Sequence, residues 1–386
     1  MHDGVRPIAF AKPYLGEEEV EAARAAILSG WVTQGPRVAA FEAAFAEAVG
    51  APFACAVSSG TAALHLALLG VGVGVEPGDE VVTVSHSFIA TANAVRYCGA
   101  TPVFVDIEPA SYNIDPEKIA DAITPKTRAL LCVHQLGMPC DMAAILRIAE
   151  ARGVKVVEDA ACASGSEIAF DGRFEPVGRP RGDVACFSFH PRKVITTGDG
   201  GMITTRNGDY DARFRHLRQH GMDLPDSVRH SARAVIFERY IELGFNYRMT
   251  DIQAAIGIQQ LRRLPGLVAN RRDLAARYNA ALSAIAGLGV PVEPNWARSN
   301  WQSYAIRLPA GVDQRAFMQG LLERGVSSRR GVMCAHREAP YMDAPLRFAL
   351  PHSEEAQDRV VLLPMFAQMT GEEFDRVIDA VSRVLS

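Results

Sequence analysis

Between residues 53 and 158 the chain alternates in a regular way. Short apolar runs at 53–57, 80–84, 102–105, 129–133 and 154–158 are separated by stretches of helical spacing near 61–69, 88–97, 116–123 and 141–151. No other feature limits the possible folds as strongly. Strand, helix and strand in repeated order imply right-handed crossovers and a mostly parallel sheet. The expectation is an α/β fold whose large sheet is flanked by helices. In open sheets of this kind ligands bind beyond the carboxyl ends of the strands. The residues just after each run are therefore where chemistry should lie.

The flanks are read the same way. Residues 17–29 have the spacing of a helix, with Val20, Ala23, Ile27 and Leu28 as its apolar face and Gly30 as its stop. Residues 31–36 form a turn, and a second amphipathic helix follows with Val38, Phe41, Phe45 and Val49 on one side. Past the alternating region, 250–264 and 267–285 read as two long helices. A turn-rich break at 287–301 is followed by a strand at 304–308, a helix at 313–324 and a closing helix at 371–385 carrying Phe374, Val377, Ile378 and Val381 on one face. The chain of 386 residues is long enough for two domains. The expected division is a large α/β domain over 1–260, with the N-terminal helical segment, and a smaller α+β domain over 261–386.

Composition removes several classes of function. The net charge is −4, which supplies no basic footprint for nucleic acid. No apolar run reaches the roughly 18 residues of a membrane span, and Met1 to Pro7 lack the basic-then-apolar pattern of an export signal. The seven cysteines include no Cys-x-x-Cys pair and several sit inside apolar runs, which suits a reducing cytoplasm. His134 and Cys140 match no zinc spacing, so no metal is expected. Gly70, Gly72 and Gly74 follow a helix rather than a strand, and read as a connecting loop rather than a dinucleotide fingerprint.

Three positions after strands carry the chemistry. After 53–57, the turn of Ser59, Gly60 and Thr61 opens a helix and presents free backbone N–H groups at its positive end, a cradle for phosphate. After 154–158, Asp159 sits at the mouth of the sheet, where a carboxylate suits a cap, a metal or a protonated ring nitrogen. Lys193 lies between the apolar run 184–189 and the strand-like Met202 to Thr204, in a turn that Gly198, Gly200 and Gly201 allow to fold tightly. A phosphate cradle, a strand-end aspartate and a constrained lysine together suit pyridoxal 5′-phosphate. The phosphate would dock at Ser59, Gly60 and Thr61, Asp159 would keep the pyridine nitrogen protonated, and the Lys193 amine would hold the aldehyde. Ser188 is placed to bond the phosphate from another side, and Phe88 to stack on the ring.

The same residues carry a family resemblance along nearly the whole chain. The matching stretches are 31–36 (Trp-Val-Thr-Gln-Gly-Pro), 59–64 (Ser-Gly-Thr-Ala-Ala-Leu), 88–93 (Phe-Ile-Ala-Thr-Ala-Asn), 102–106, Glu158 to Ala161, 187–193 (Phe-Ser-Phe-His-Pro-Arg-Lys), 197–201 and 244–251 (Gly-Phe-Asn-Tyr-Arg-Met-Thr-Asp). In this order they resemble the DegT/DnrJ/EryC1/StrS family, sugar aminotransferases of the fold type I pyridoxal-phosphate superfamily. The resemblance implies a homodimer with each active site at the subunit interface. It also implies that Asn246 reaches the partner's cofactor phosphate, with Arg248 as its companion. A dehydratase branch of the family replaces the lysine by histidine, so Lys193 favours transamination. One departure stands out: three residues after Asp159, where the family often has glutamine or histidine against the cofactor, this chain has Cys162, a weak hydrogen-bonding group.

The expected reaction moves an amino group from glutamate to a keto-sugar linked to a nucleoside diphosphate, with Lys193 as proton shuttle. Arg329, Arg330, His336 and Arg337 are candidates for the diphosphate, and Trp31 and Thr33 for the sugar by resemblance. A keto-cyclitol acceptor, a lyase outcome on the same cofactor, and a non-catalytic cofactor-binding or scaffolding protein are the alternatives.

Overall fold

The computed structural model describes residues 7–224 and 235–386. Residues 1–6, which bear on the export-signal reading, and residues 225–234 lie outside the described residues. The strands are β1 (Phe53–Val57), β2 (Glu80–Val84), β3 (Thr101–Val105), β4 (Thr127–Val133), β5 (Lys155–Asp159), β6 (Glu167–Phe170), β7 (Arg173–Pro176), β8 (Val184–Ser188), β9 (Gly201–Thr205), β10 (Ala297–Arg298), β11 (Tyr304–Arg307), β12 (Arg329–Arg330) and β13 (Val360–Leu363).

Seven of them form one sheet in the order β1-β9-β8-β5-β4-β2-β3. Pairing is parallel from β3 through β2, β4 and β5 to β8, and β9 runs antiparallel to both β8 and β1. The large, mostly parallel sheet flanked by helices is thus as the alternation implies. Its strands alternate between two apolar layers. Ala54, Ala56, Val82, Val84, Val156, Ala185 and Phe187 face one layer, whereas Cys55, Val57, Val81, Val157, Val184 and Cys186 face the other. The second layer is filled by the helix Gly60–Gly70, which is apolar nearly all round and buried from Ala62 to Leu68. A helix with no polar face must be covered, and this covering fixes the Ser59 end of the helix against the sheet.

The sequence reading of two helices at 250–264 and 267–285 is corrected. One helix, Asp251–Leu282, runs through with Pro265 inside it. Pro265 removes one helical N–H and costs about 3 kcal/mol in an exposed helix. Here the buried series Leu267, Val268, Leu274, Ala275, Tyr278 and Leu282 keeps its helical spacing on the far side of the proline, and that packing outweighs the break. A capping box between Thr250 and Gln253 starts the helix.

A second correction concerns the first helix, Glu17–Leu28. Its proposed apolar face does not enter the core: Val20, Ile27 and Leu28 are exposed on the single chain. The helix instead turns Glu19 and Ala26 inward, where Gln260 Nε2 and Arg263 Nε lie 3.0 Å from Glu19 Oε1. The second helix, Pro36–Val49, does bury Val38, Phe41, Phe45 and Val49.

The C-terminal part has its own sheet, β11-β13-β12, and its own apolar cluster around Tyr278, Tyr304, Phe317, Val361, Leu363, Phe374 and Val377. The closing helix Gly371–Leu385 covers it. The hairpin β6–β7 joins β10 in a third small sheet. No helix among the described residues is long and apolar enough to cross a membrane.

Candidate cofactor and active site

The ends of β1, β5 and β8 and the start of β9 lie side by side, because β9 pairs with both β1 and β8, and β8 with β5. At the end of β1, Ser59 caps the helix Gly60–Gly70 and its Oγ accepts the Ala62 N–H at 3.1 Å. The turn is tightly confined. A Cβ on Gly60 would come within 2.7 Å of Ser188 Cβ, and one on Gly201 within 2.4 Å of the Ser59 carbonyl oxygen. Glycine is needed at both positions to bring β8 and β9 this close to the helix start. The N–H groups of Gly60 and Thr61, in the first turn, have no helical acceptor. Ser188 is buried at the end of β8, where its Oγ accepts the His190 N–H at 3.4 Å.

At the end of β5, Asp159 is 5% exposed. Its Oδ2 accepts from Thr91 Oγ1 at 2.8 Å and its Oδ1 from the Ala161 N–H at 3.1 Å. Thr91 is in turn 2.7 Å from Ser87 Oγ. Burial pushes the Asp159 carboxyl up, and Thr91, the Ala161 amide, Lys193 and His134 pull it back down. A buried carboxylate in this position is short of positive charge, and a protonated ring nitrogen would supply it. The glycine-lined turn with free N–H groups fits a phosphate in the same way. The residues present therefore fit pyridoxal phosphate.

Lys193 lies in the connection between β8 and β9, half-buried, with its backbone N–H bonded to the His190 carbonyl at 2.8 Å. Its Nζ donates to Cys162 Sγ at 3.0 Å. Both segments are clamped from the C-terminal part of the chain. Asn300 Nδ2 donates to the carbonyls of Cys162 at 2.8 Å and Ser164 at 2.9 Å, and Gln302 Nε2 to that of Arg192 at 2.9 Å.

Phe88, between β2 and the helix Ala90–Tyr97, is 61% exposed and so is not a core residue. The Tyr247 carbonyl accepts the Ser58 N–H at 2.7 Å, and Arg248 bridges to Val57. This puts Arg248 and the exposed Asn246 on either side of the residue bonded at the cradle. Trp31 is tied within its own turn, its Nε1 donating to the Gln34 carbonyl at 3.0 Å. The exposed Thr33 gives its carbonyl to the Asp251 N–H at 3.0 Å, and Gln253 of the same helix start reaches the Asp199 carbonyl at 2.8 Å. The 31–36 turn is thereby connected to the loop that bears Lys193.

The basic group at 329–337 does not form one open face. Arg329 and Arg330 are exposed on β12, and Arg330 pairs with Glu338 at 3.3 Å. Arg337 is held by Asp358 at 2.8 Å and Glu354 at 3.1 Å. The His336 side chain lies between Ser85 Oγ, 2.7 Å from its Nδ1, and Glu354 Oε1, 3.2 Å from its Nε2. His134 also has both ring nitrogens engaged, with Glu158 Oε2 at 3.0 Å and the Cys140 N–H at 3.1 Å.

Thr91, Ser87, Asn300 and Gln302 were not anticipated. Thr91 belongs to the matching stretch 88–93, but a threonine near a helix start reads as an ordinary cap. Asn300 is more than a hundred residues from the loop it holds, and no local pattern signals it.

A model of the DegT/DnrJ/EryC1/StrS aminotransferase family matches residues 13–382. Among solved structures, the aminotransferase TlmJ from Streptoalloteichus hindustanus is 36% identical, with a TM-score of 0.89 over 98% of each chain. The PLP form of Spr1654 from Streptococcus pneumoniae is 25% identical, with a TM-score of 0.88 over 98% of each chain. PseC from Helicobacter pylori, an aminotransferase involved in the biosynthesis of pseudoaminic acid, is 25% identical, with a TM-score of 0.88 over 98% of this chain and 99% of that one.

Proposed function

The chain belongs to the DegT/DnrJ/EryC1/StrS aminotransferase family, whose members are pyridoxal-phosphate-dependent, and on that footing we propose that it moves an amino group from glutamate to a keto-sugar nucleotide. The observation that carries the reading is the meeting of the Ser59–Gly60–Thr61 turn, Asp159 and Lys193 beyond the ends of neighbouring strands. Pyridoxal phosphate, when bound, supplies an aldehyde that exchanges amines and a ring that accepts the electron pair left by a broken C–H bond.

The chain's own residues do the rest. The N–H groups of Gly60 and Thr61, with the hydroxyls of Ser59 and Ser188, would fix the phosphate. Asp159 would hold the proton on the ring nitrogen, and Thr91 holds Asp159 Oδ2 in place. Lys193 Nζ would bind the aldehyde, give way to the donor amine, and then take the donor Cα proton and return it on the adjacent carbon of the cofactor. Cys162 and Phe88 would border the ring.

Two features support assembly with a second copy. Val20, Ile27, Leu28, Tyr97, Phe237 and Leu243 are large apolar side chains exposed on the single chain. Asn246 is exposed on the single chain, and in the family resemblance it would reach the partner's cofactor phosphate. The separate apolar cluster of the C-terminal part supports a division into a domain of 1–260 and one of 261–386, with the long helix as the connection. Seven unpaired cysteines support a reducing, cytoplasmic setting.

The test uses 15N-labelled glutamate, pyridoxal phosphate and a panel of nucleotide-linked keto-sugars, with product masses as the readout. One acceptor should gain the labelled nitrogen, and Lys193→Ala should abolish the transfer. Label that stays in glutamate across the whole panel would remove the proposal.

A further inference from the structure

Cys162 differs from the other cysteines of the chain. Cys55, Cys98, Cys132, Cys140, Cys186 and Cys334 are buried, and Cys162 is partly exposed. Oxidants therefore meet it first. It also has a nucleophile in contact, the Lys193 amine, with Nζ 3.0 Å from Sγ. Neither group is on a loose segment. The Cys162 carbonyl is fixed by Asn300 at 2.8 Å, the next amide closes a turn onto Ala160 at 2.8 Å, and the Lys193 amide is fixed by His190 at 2.8 Å. The remaining thiols are held within the packed interior of the fold, so the partner within reach of an oxidised Cys162 is the amine.

We propose that Cys162 is a peroxide-modified site whose oxidised sulfur crosslinks to Lys193. Hydrogen peroxide is the oxidant. The sulfur attacks one peroxide oxygen, the O–O bond breaks, and a sulfenic acid and one water result. The Lys193 nitrogen then attacks sulfur with its lone pair, the S–O bond breaks, and a second water leaves. The net change joins –SH and –NH2 into –S–NH– as one peroxide becomes two waters, so sulfur gives up two electrons and the protein loses two hydrogens. Condensation of a sulfenic acid with a nearby nitrogen is established thiol chemistry. A dithiol reductant reverses it: one thiol attacks sulfur and releases the amine, and the second then displaces the Cys162 thiol as the reductant closes to its disulfide. The crosslink consumes the nitrogen that the proposed reaction depends on, so peroxide would switch that reaction off reversibly.

The inference rests on the proposed function in one respect: a Lys193 engaged by pyridoxal phosphate has no free amine to give. The test therefore compares two forms of the full-length protein, loaded with pyridoxamine 5′-phosphate or with pyridoxal 5′-phosphate. Each is treated with hydrogen peroxide and measured by intact mass and peptide mapping. The pyridoxamine form should lose about 2 Da, the mass of two hydrogens, as the Cys162 and Lys193 peptides become joined. Dithiothreitol should separate them, the pyridoxal form should be largely spared, and Cys162→Ser should keep its mass. The peptide map of the wild-type protein decides the matter even if that variant folds poorly. Over-oxidation of Cys162 without a joined peptide, or prior oxidation of another cysteine, would overturn the proposal. Equal crosslinking in both forms would uphold the crosslink and remove the cofactor-holding role of Lys193. No crosslink, together with a visible cofactor band that Lys193→Ala abolishes, would remove the crosslink and leave the function standing.

Discussion

The strand ends around Asp159 and the basic segment around β12 both gather polar groups, but they do so under different constraints. At the strand ends contacts are specific and room is short: Asp159 has one donor on each oxygen, and Gly60 tolerates no side chain against Ser188. At β12 the arginines are exposed, and Arg330 pairs at the surface with the half-buried Glu338. Surface pairs of that kind contribute about 0–1 kcal/mol. The first region dictates residue identity, because a change leaves a buried group without a partner or a backbone without space. The second dictates little more than charge. Catalysis common to a family belongs in a region of the first kind, and recognition that varies among its members in a region of the second.

The largest effect should come from changing charge without shape at the strand ends. Asp159→Asn keeps the volume and removes the anion that would hold the ring nitrogen's proton. The turnover number should fall roughly a hundredfold to a thousandfold, as when one preorganised electrostatic group is removed. The urea midpoint should hold or rise, because burial already disfavours the Asp159 charge. Steady-state kinetics beside a denaturation curve would check both. A turnover number near that of the parent would place Asp159 in a purely structural role and erase the contrast between the regions.

The contrast also explains what could be read from the sequence. The places of Gly60, Asp159 and Lys193 were legible because each lies where a strand ends and the chain turns, which the alternation of apolar runs marks. The long helix was misread because Pro265 is a local signal, and the packing of Leu267 through Leu282 that overrides it is not. The Glu17–Leu28 helix was misread for the opposite reason. Its apolar stripe is real, but the chain offers Glu19 a better-matched partner in Arg263, and the stripe stays exposed on the single chain. Asn300 was invisible because its donors meet the carbonyls of a loop far away in sequence. β13 was missed because the helix Pro351–Arg359 runs directly into it with no turn residue between.

A smaller effect should appear at the seam between the regions. His86 follows β2 and bridges to Cys334, just beyond β12. It is fully buried, and neither ring nitrogen has a hydrogen-bond partner. Burial pushes its pKa down from 6.5 to about 4, opposed by Asp106. The unfolded chain therefore takes up a proton between these values that the folded chain refuses. Stability from this group is full above pH 6.5 and is lost as pH falls towards 4. A shift of this size corresponds to about 3 kcal/mol. Urea midpoints at neutral pH and near pH 4.5 should show His86→Phe losing less stability on acidification than the parent, since its ring takes no proton. Equal losses would mean that the imidazole finds a partner and that the seam is not strained.

The smallest of the three effects bears on the acceptor itself. If Arg329 faces the diphosphate of a nucleotide-linked sugar, Arg329→Ala removes one charge-assisted contact and leaves the chemistry untouched. The acceptor KM should rise about tenfold, which is about 1.4 kcal/mol. The turnover number and the glutamate KM should stay as they are, and the melting temperature should hold, because exposed arginines contribute little to folding. The split between the two KM values gives the measurement its force, since a general loss of structure would move both. An unchanged acceptor KM would make β12 a plain solvent-facing edge and shift the balance towards an acceptor with no diphosphate, such as a keto-cyclitol. A fall in turnover number would carry the opposite lesson: the exposed edge would then act on the reacting atoms, and the separation of a fixed catalytic region from an adaptable recognition region would fail.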